Sequence, residues 1–149
     1  MRCDDLMQHP EIILASGSQT RQQLMNRLHL AYKSISPDID ESAQGELHAD
    51  NLARRLAFEK AHCIAQQYPD AIVIAADTSL SFAGKIIGKP QSKQHAFEIW
   101  STISGQWHDV YSGICVASSV QCLSKVVRTQ VELQQLSHTE MEKYWATGE

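Results

Sequence analysis

Ile12-Ile13-Leu14-Ala15-Ser16-Gly17-Ser18-Gln19-Thr20-Arg21 and, further along, Ile72-Val73-Ile74-Ala75-Ala76-Asp77-Thr78 are the two stretches on which the fold turns. Each opens as a short apolar run bounded by turn residues, the pattern of a buried strand. The first runs into a serine-rich turn and a helix start, where free N–H groups and a positive dipole end favour an anion. The second ends in an acid and is followed by Gly88-Lys89-Pro90, which sets a lysine in a stiff loop. A hydroxyl-lined helix start and a carboxylate with a nearby lysine suit metal-assisted phosphate chemistry. Together they read as a nucleotide-hydrolysing site.

Working outward, the rest of the chain alternates helix and strand patterns. Ser18 can cap a helix whose Leu24, Met25 and Leu28 share a face. Residues 32–39 read as an extended edge leading into Asp38-Ile39-Asp40-Glu41. A long helix is expected over 50–67, with Leu52, Leu56, Ala57, Ala61, Ile64 and Ala65 as its apolar stripe, and a central strand over 71–76. Ala83-Gly84 marks a small hairpin within 81–87. Ser92 opens a helix carrying Ala96, Ile99, Trp100 and Ile103, which Ser104-Gly105 stops. Residues 110–120 and 126–136 read as strands. Ser137-His138-Thr139-Glu140 is a capping box for a last helix with Met141, Tyr144 and Trp145. The outcome is a single mixed α/β domain over residues 1–149, after a polar, frayed lead-in over 1–10.

Composition narrows the partners. The chain has 149 residues, 43% of them hydrophobic, which is enough for one real core. A net charge of −4 with 13 Lys+Arg, and no basic run, argues against binding a nucleic-acid polymer. Cys3, Cys63, Cys115 and Cys122 are scattered, with no zinc spacing, and read as reduced thiols. No run approaches the ~20 apolar residues that cross a bilayer, and the start lacks a signal-peptide core. A soluble cytoplasmic protein without a membrane partner is expected.

The ordered set Leu14-Ala15-Ser16-x-Ser18, Arg21, Leu24, Arg55-Leu56-Ala57, Lys60-Ala61, Ala76-Asp77-Thr78, Gly84, Gly88-Lys89-Pro90 and Ser104-Gly105 resembles the Maf proteins. These are nucleoside-triphosphate pyrophosphatases related to the inosine-triphosphate pyrophosphatases. The likeness runs from about Glu11 to Glu149. It implies an elongated mixed sheet flanked by helices with a cleft between two lobes, commonly in a homodimer. It also implies hydrolysis of a nucleoside triphosphate to monophosphate and pyrophosphate with Mg²⁺ or Mn²⁺, as house-cleaning of modified nucleotides. Matched residue by residue, Asp77 is the catalytic carboxylate and a metal ligand, and Glu41 is a second metal ligand. Ser16, Ser18, Arg21, Lys60 and Lys89 hold the substrate.

The chain departs from the family in two places. Ser18-Gln19-Thr20-Arg21-Gln22 lacks the proline and one arginine usual in the first loop, and each such arginine is a charge-assisted phosphate contact. The family also continues past the tract matching Thr147-Gly148-Glu149 into a D-K-A-G-like motif, a glutamine loop and a final helix. The expectation is a domain shortened there, self-associated through Met141, Tyr144 and Trp145 or through the open strand before them, less stable than a full-length relative, and hydrolysing nucleotides weakly or not at all. The alternative is a Maf-like protein that only binds nucleotide or a partner, linked to cell-division control.

Substrate signals conflict. Ser36-Pro37-Asp38-Ile39-Asp40-Glu41-Ser42 with Gly45-Glu46 resembles the subgroup acting on 7-methyl-GTP. Asp77-Thr78 and Ser104-Gly105-x-x-His108-x-Val110 resemble the subgroup acting on dTTP and UTP.

Each residue also has an ordinary reading. Asp77 alone could cap a turn, Lys60 alone is a surface charge on a solvated helix face, and Glu41 sits in an acidic loop. Arg21 opposes the helix dipole, which hints at an anion beside it. His108 reads as structural, and Trp100, Trp107 and Trp145 as core or interface.

Overall fold

The computed structural model describes residues 9–148. The expected frayed lead-in therefore falls largely outside the described residues, apart from the exposed His9 and Pro10. In chain order the elements are β1 (Ile12–Leu14), α1 (Gln19–Asn26), β2 (Lys33–Ser34), α2 (Ala49–Gln67) and β3 (Ile72–Phe82). They continue with β4 (Lys85–Ile87), α3 (Lys93–Ile103), β5 (Trp107–Ala117), β6 (Cys122–Glu132) and α4 (His138–Thr147). The strands form one six-stranded sheet in the order β2-β1-β3-β5-β6, with β4 also paired to β3. β1 is parallel to β2 and β3, whereas β3, β5 and β6 are antiparallel neighbours, so the sheet is mixed.

The expected apolar stripe of α2 is the one that packs: all six of its residues are buried. It covers a core of Ile13, Ala15, Val73, Ala75, Cys115 and Ala117. Ala53, Ala57 and Ala61 bring the helix backbone close to the sheet, and Gly113 on β5 marks the nearest approach. A Cβ there would stand 2.3 Å from the Ala53 carbonyl oxygen. Gly113 pairs with Asp77 across β5 and β3, so the close approach falls beside that carboxylate.

β3 runs well beyond residue 76. Antiparallel pairing with β5 carries it through Asp77 as far as Ser81, after which it turns into the expected hairpin with β4. Ala83 and Gly84 both have positive φ there, as a tight hairpin of this hand requires. Asp77 is thus mid-strand, not at a strand end.

The expectation over residues 32–39 shrinks to Lys33–Ser34. The α1 stripe holds only in part: Met25 is buried, while Leu24 and Leu28 are exposed, because α1 contributes a single core side chain to the sheet. The last two strands also lie earlier than expected. Ser118 Oγ accepts from the N–H groups of Val120 and Gln121, and the Ser118 N–H donates to the Gln121 carbonyl, so the chain reverses at 118–121. The apolar look of Val120 concealed that turn; it is almost fully exposed. Ser92 and Ser137 cap α3 and α4 as expected, the latter in a complete capping box. Trp100 packs on Tyr144 and Trp145, joining α3 to α4, but Trp107 is exposed and belongs to no core.

Candidate active site

Alternation along β3 decides what gathers under α2. Val73 and Ala75 face the helix as core, and the same face continues with Asp77, Ser79 and Ser81, all three buried. Polar groups buried in this way need partners. Asp77 has two: Lys60 Nζ donates to its Oδ1 at 2.9 Å, and Ser79 Oγ donates to Oδ2 at 3.2 Å. Lys60 is 5% exposed, so its ordinary reading as a surface charge is overturned. The helix turns it inward on the α2 stripe, next to Ala57, Ala61 and Ile64.

Glu41 closes the network from the loop before α2. Its Oε1 pairs with Lys60 Nζ at 2.8 Å and its Oε2 accepts from Lys89 Nζ at 3.0 Å. The hydrogen bond from Lys60, reinforced by Lys89, holds the Glu41 carboxyl below the usual glutamate range against the opposing pull of burial. Lys89 is otherwise open to solvent, with a side chain 90% exposed. Four of the expected site residues thus form one chain of contacts, Asp77–Lys60–Glu41–Lys89.

Two cavities meet at this chain. The larger, about 350 Å³, is lined by Asp77, Ser79, Lys89, Leu52, Leu56 and Ile86, among others. The smaller, about 150 Å³, is lined by Ser16, Gly17, Ser18, Arg21, Ser36 and Lys60. Glu41 lines both. The first loop is therefore beside the carboxylates, as expected, and its geometry is fixed by its serines. Ser16 Oγ accepts from the Ser18 N–H, Ser18 Oγ accepts from the Arg21 N–H, and the Ser34 hydroxyl donates to the Ser16 carbonyl at 2.6 Å. A wider cavity of about 540 Å³ lies at the start of β1 and β3, around His9–Glu11 and Gln67–Ala71, and contains none of these groups.

Glu41 and Asp77 converge on one ammonium, so their oxygens are disposed toward a common cation. Among the described residues, no cluster of three His, Cys, Asp or Glu exists that could cage a metal by itself. Two carboxylates match the way Mg²⁺ is held jointly by protein and substrate phosphates, not in an all-protein cage.

Ser79 was missed in the sequence because β3 was read as ending at Ala76; the period-2 pattern Asp77-x-Ser79-x-Ser81 would have placed it beside Asp77. His108 is buried, its Nδ1 has no hydrogen-bond partner, and it lies with Trp100, Ile103 and Met141 around a separate cavity. Ser104 Oγ accepts from the Leu136 N–H, so it too braces the fold away from the carboxylates.

The Maf-like protein family model matches residues 11–149. A dTTP/UTP pyrophosphatase of Acinetobacter baylyi is 59% identical over 136 residues, covering 91% of this chain and 74% of the relative. A nucleoside triphosphate pyrophosphatase of the same organism is 44% identical over 146 residues, covering 92% of this chain and 72% of the relative. A dTTP/UTP pyrophosphatase of Halalkalibacterium halodurans is 36% identical over 138 residues, covering 93% and 73%. With the match reaching from the first strand through the last helix, the chain belongs to the Maf family.

Proposed function

We propose that this protein hydrolyses nucleoside triphosphates to the monophosphate and pyrophosphate, and that dTTP and UTP are its substrates. The single observation that carries the activity is the Asp77–Lys60–Glu41 contact chain set between two cavities, one of them lined by the hydroxyls and the arginine of a helix start. The preference for dTTP and UTP rests on the 59% identical relative and on Thr78, which lines the larger cavity. The Ser104 and His108 signals carry no weight for the base, since neither residue lines the two cavities at the carboxylates.

The chemistry follows from charge and position. Arg21, Lys60 and Lys89 neutralise the phosphates and the departing pyrophosphate, the electrostatic part of phosphoryl-transfer catalysis. The loop hydroxyls and N–H groups of Ser16 and Ser18 hold the phosphate chain in place. Asp77 takes the proton of the attacking water, with Ser79 and Lys60 fixing its two oxygens. Asp77 and Glu41 are the residues that would hold Mg²⁺ or Mn²⁺, which when bound supplies further charge neutralisation at the phosphate oxygens.

No helix among the described residues is long and apolar enough to cross a membrane. A cytoplasmic house-cleaning role fits a soluble nucleotide substrate. A homodimer is part of the same reading: β6 pairs only with β5 among the described residues, leaving an open edge, and exposes Leu123 and Val127. Sedimentation at micromolar concentration is expected to give a dimer, and a monodisperse monomer removes it.

The activity is tested with dTTP, UTP and 7-methyl-GTP as alternatives and pyrophosphate release as readout. Turnover of dTTP and UTP should exceed that of 7-methyl-GTP, stop with chelator, return with Mg²⁺ or Mn²⁺, and be abolished in a folded Asp77→Asn variant. Parent-level turnover by that variant would sink the assignment. Nucleotide binding without any turnover by the parent would favour the binding-only reading.

A further inference from the structure

We infer that Lys60 is a placeholder cation: it occupies the point between Asp77 and Glu41 where a divalent ion would bridge them, and so makes metal binding depend on the arrival of nucleotide phosphates. The inference deepens the pyrophosphatase reading and rests on it for the identity of the arriving ligand.

The geometry is direct. The Lys60 ammonium lies 2.9 Å from Asp77 Oδ1 and 2.8 Å from Glu41 Oε1, on a side chain with almost no solvent contact. Each carboxylate oxygen already has a donor: Lys60 on Asp77 Oδ1 and Glu41 Oε1, Ser79 on Asp77 Oδ2 and Lys89 on Glu41 Oε2. A divalent ion held by the two carboxylates would have to compete with the ammonium for them, and two cations that close in a partly desolvated site repel strongly. The two cannot share that position.

Charge points the same way. Asp77 and Glu41 carry two negative charges, and Lys60 and Lys89 carry two positive ones, so the linked cluster is neutral as it stands. A neutral cluster offers a free dication little attraction. The donor count agrees, because no third carboxylate, histidine or cysteine joins the pair among the described residues.

Release has a route. Lys60 lines the small cavity together with Ser16, Ser18 and Arg21, so the ammonium borders the space the proposal gives to phosphate. A triphosphate there competes for the ammonium. As Lys60 turns to phosphate, the two carboxylates lose their partner and become available, while the phosphates themselves supply further oxygens. Metal and nucleotide then bind as one unit, and nucleotide-free protein holds metal only weakly.

The test is Mn²⁺ binding by titration calorimetry and by the electron-spin resonance signal of free Mn²⁺, on the whole chain, with no turnover required. The parent alone should bind Mn²⁺ weakly, and a dTTP analogue with a non-hydrolysable α–β bridge should tighten binding at least tenfold beyond what the analogue binds without protein. Lys60→Gln should bind Mn²⁺ without nucleotide at least tenfold more tightly than the parent, whereas Lys60→Arg, which keeps the charge, should stay weak. Circular dichroism reports whether each variant is folded; if Lys60→Gln is not, Lys60→Met, which also removes the ammonium, is read in its place. Tight Mn²⁺ binding by the parent alone, or a folded Lys60→Gln that binds no better, overturns the placeholder. Absence of pyrophosphate release alongside the expected Mn²⁺ pattern overturns the activity and leaves the placeholder standing.

Discussion

The two halves of β3 lie under the same helix and are buried to nearly the same degree, yet they do opposite things. Val73 and Ala75 face α2 with no solvent exposure, in a core that also contains Ile13, Ile64 and Cys115. Asp77, Ser79 and Ser81 occupy the next three positions of the same face and are also buried. Burial of the first half removes apolar surface from water and stabilises the fold. Burial of the second half desolvates a carboxylate and two hydroxyls, and the bonds that Lys60 and Ser79 make to Asp77 offset part of that cost without turning it into a comparable gain. Apolar packing is concentrated at one end of the strand and hydrogen-bonded polar groups at the other. A carboxylate kept from water beside a rigid core is held still, which suits the role proposed for Asp77.

Substitutions can break or sharpen this contrast. The largest effect is expected in the apolar half: Ile64→Ala should lower unfolding stability by about 2–5 kcal/mol, from lost burial and the cavity left behind. In denaturant titration the midpoint should fall, while the protein that remains folded turns over at the parent rate. A loss below 1 kcal/mol would mean that α2 is not the main support of the sheet.

Gly113→Ala acts at the boundary of the two halves. Its new methyl would meet the Ala53 carbonyl, which is backbone and cannot rotate away, so α2 must lift from the sheet beside Asp77. About 1–3 kcal/mol of stability should be lost by overpacking. Because Lys60 rides on the same helix, pyrophosphate release should fall as well. Reduced stability with unchanged turnover would show that the two halves are less coupled than the packing implies.

The smallest effect is electrostatic and belongs to the polar half. Glu41 is held below the ordinary glutamate pKa, mainly by its hydrogen bond from Lys60. The folded value being the lower one, its contribution to stability is complete above the ordinary value and is lost as pH falls through the lowered one. Much of its side chain is in water, so the step is small. Thermal melts through the acid range should show the parent losing stability more steeply than Glu41→Gln. Identical acid slopes would remove Glu41 from the network.

Much of this was legible in the residues themselves. The apolar stripe of α2, the capping serines of α1, α3 and α4, and the Ala83-Gly84 hairpin are local patterns, and local patterns survive in one dimension. The motif residues Ser16, Ser18, Arg21, Glu41, Lys60, Asp77 and Lys89 could be named because their order along the chain resembles a family, and Asp77, Lys60, Glu41 and Lys89 are indeed linked in space. Where strands end was less legible. β3 passes through Asp77 because β5 lies beside it to pair with, and a neighbouring strand leaves no mark on local periodicity. The turn at 118–121 was hidden for a related reason, since Val120 looks like strand while Ser118 makes it turn.

What the sequence by itself determined is therefore the inventory: a mixed α/β chain, its helices and their caps, and which side chains could do phosphate chemistry. Only the tertiary structure decided that Lys60, on paper one more charge on a long helix, is buried between two carboxylates. In sequence it reads as part of the solvated face, and only the close approach of α2 to the sheet at Gly113, with the Glu41 loop folded over it, turns that position into the centre of the contact chain.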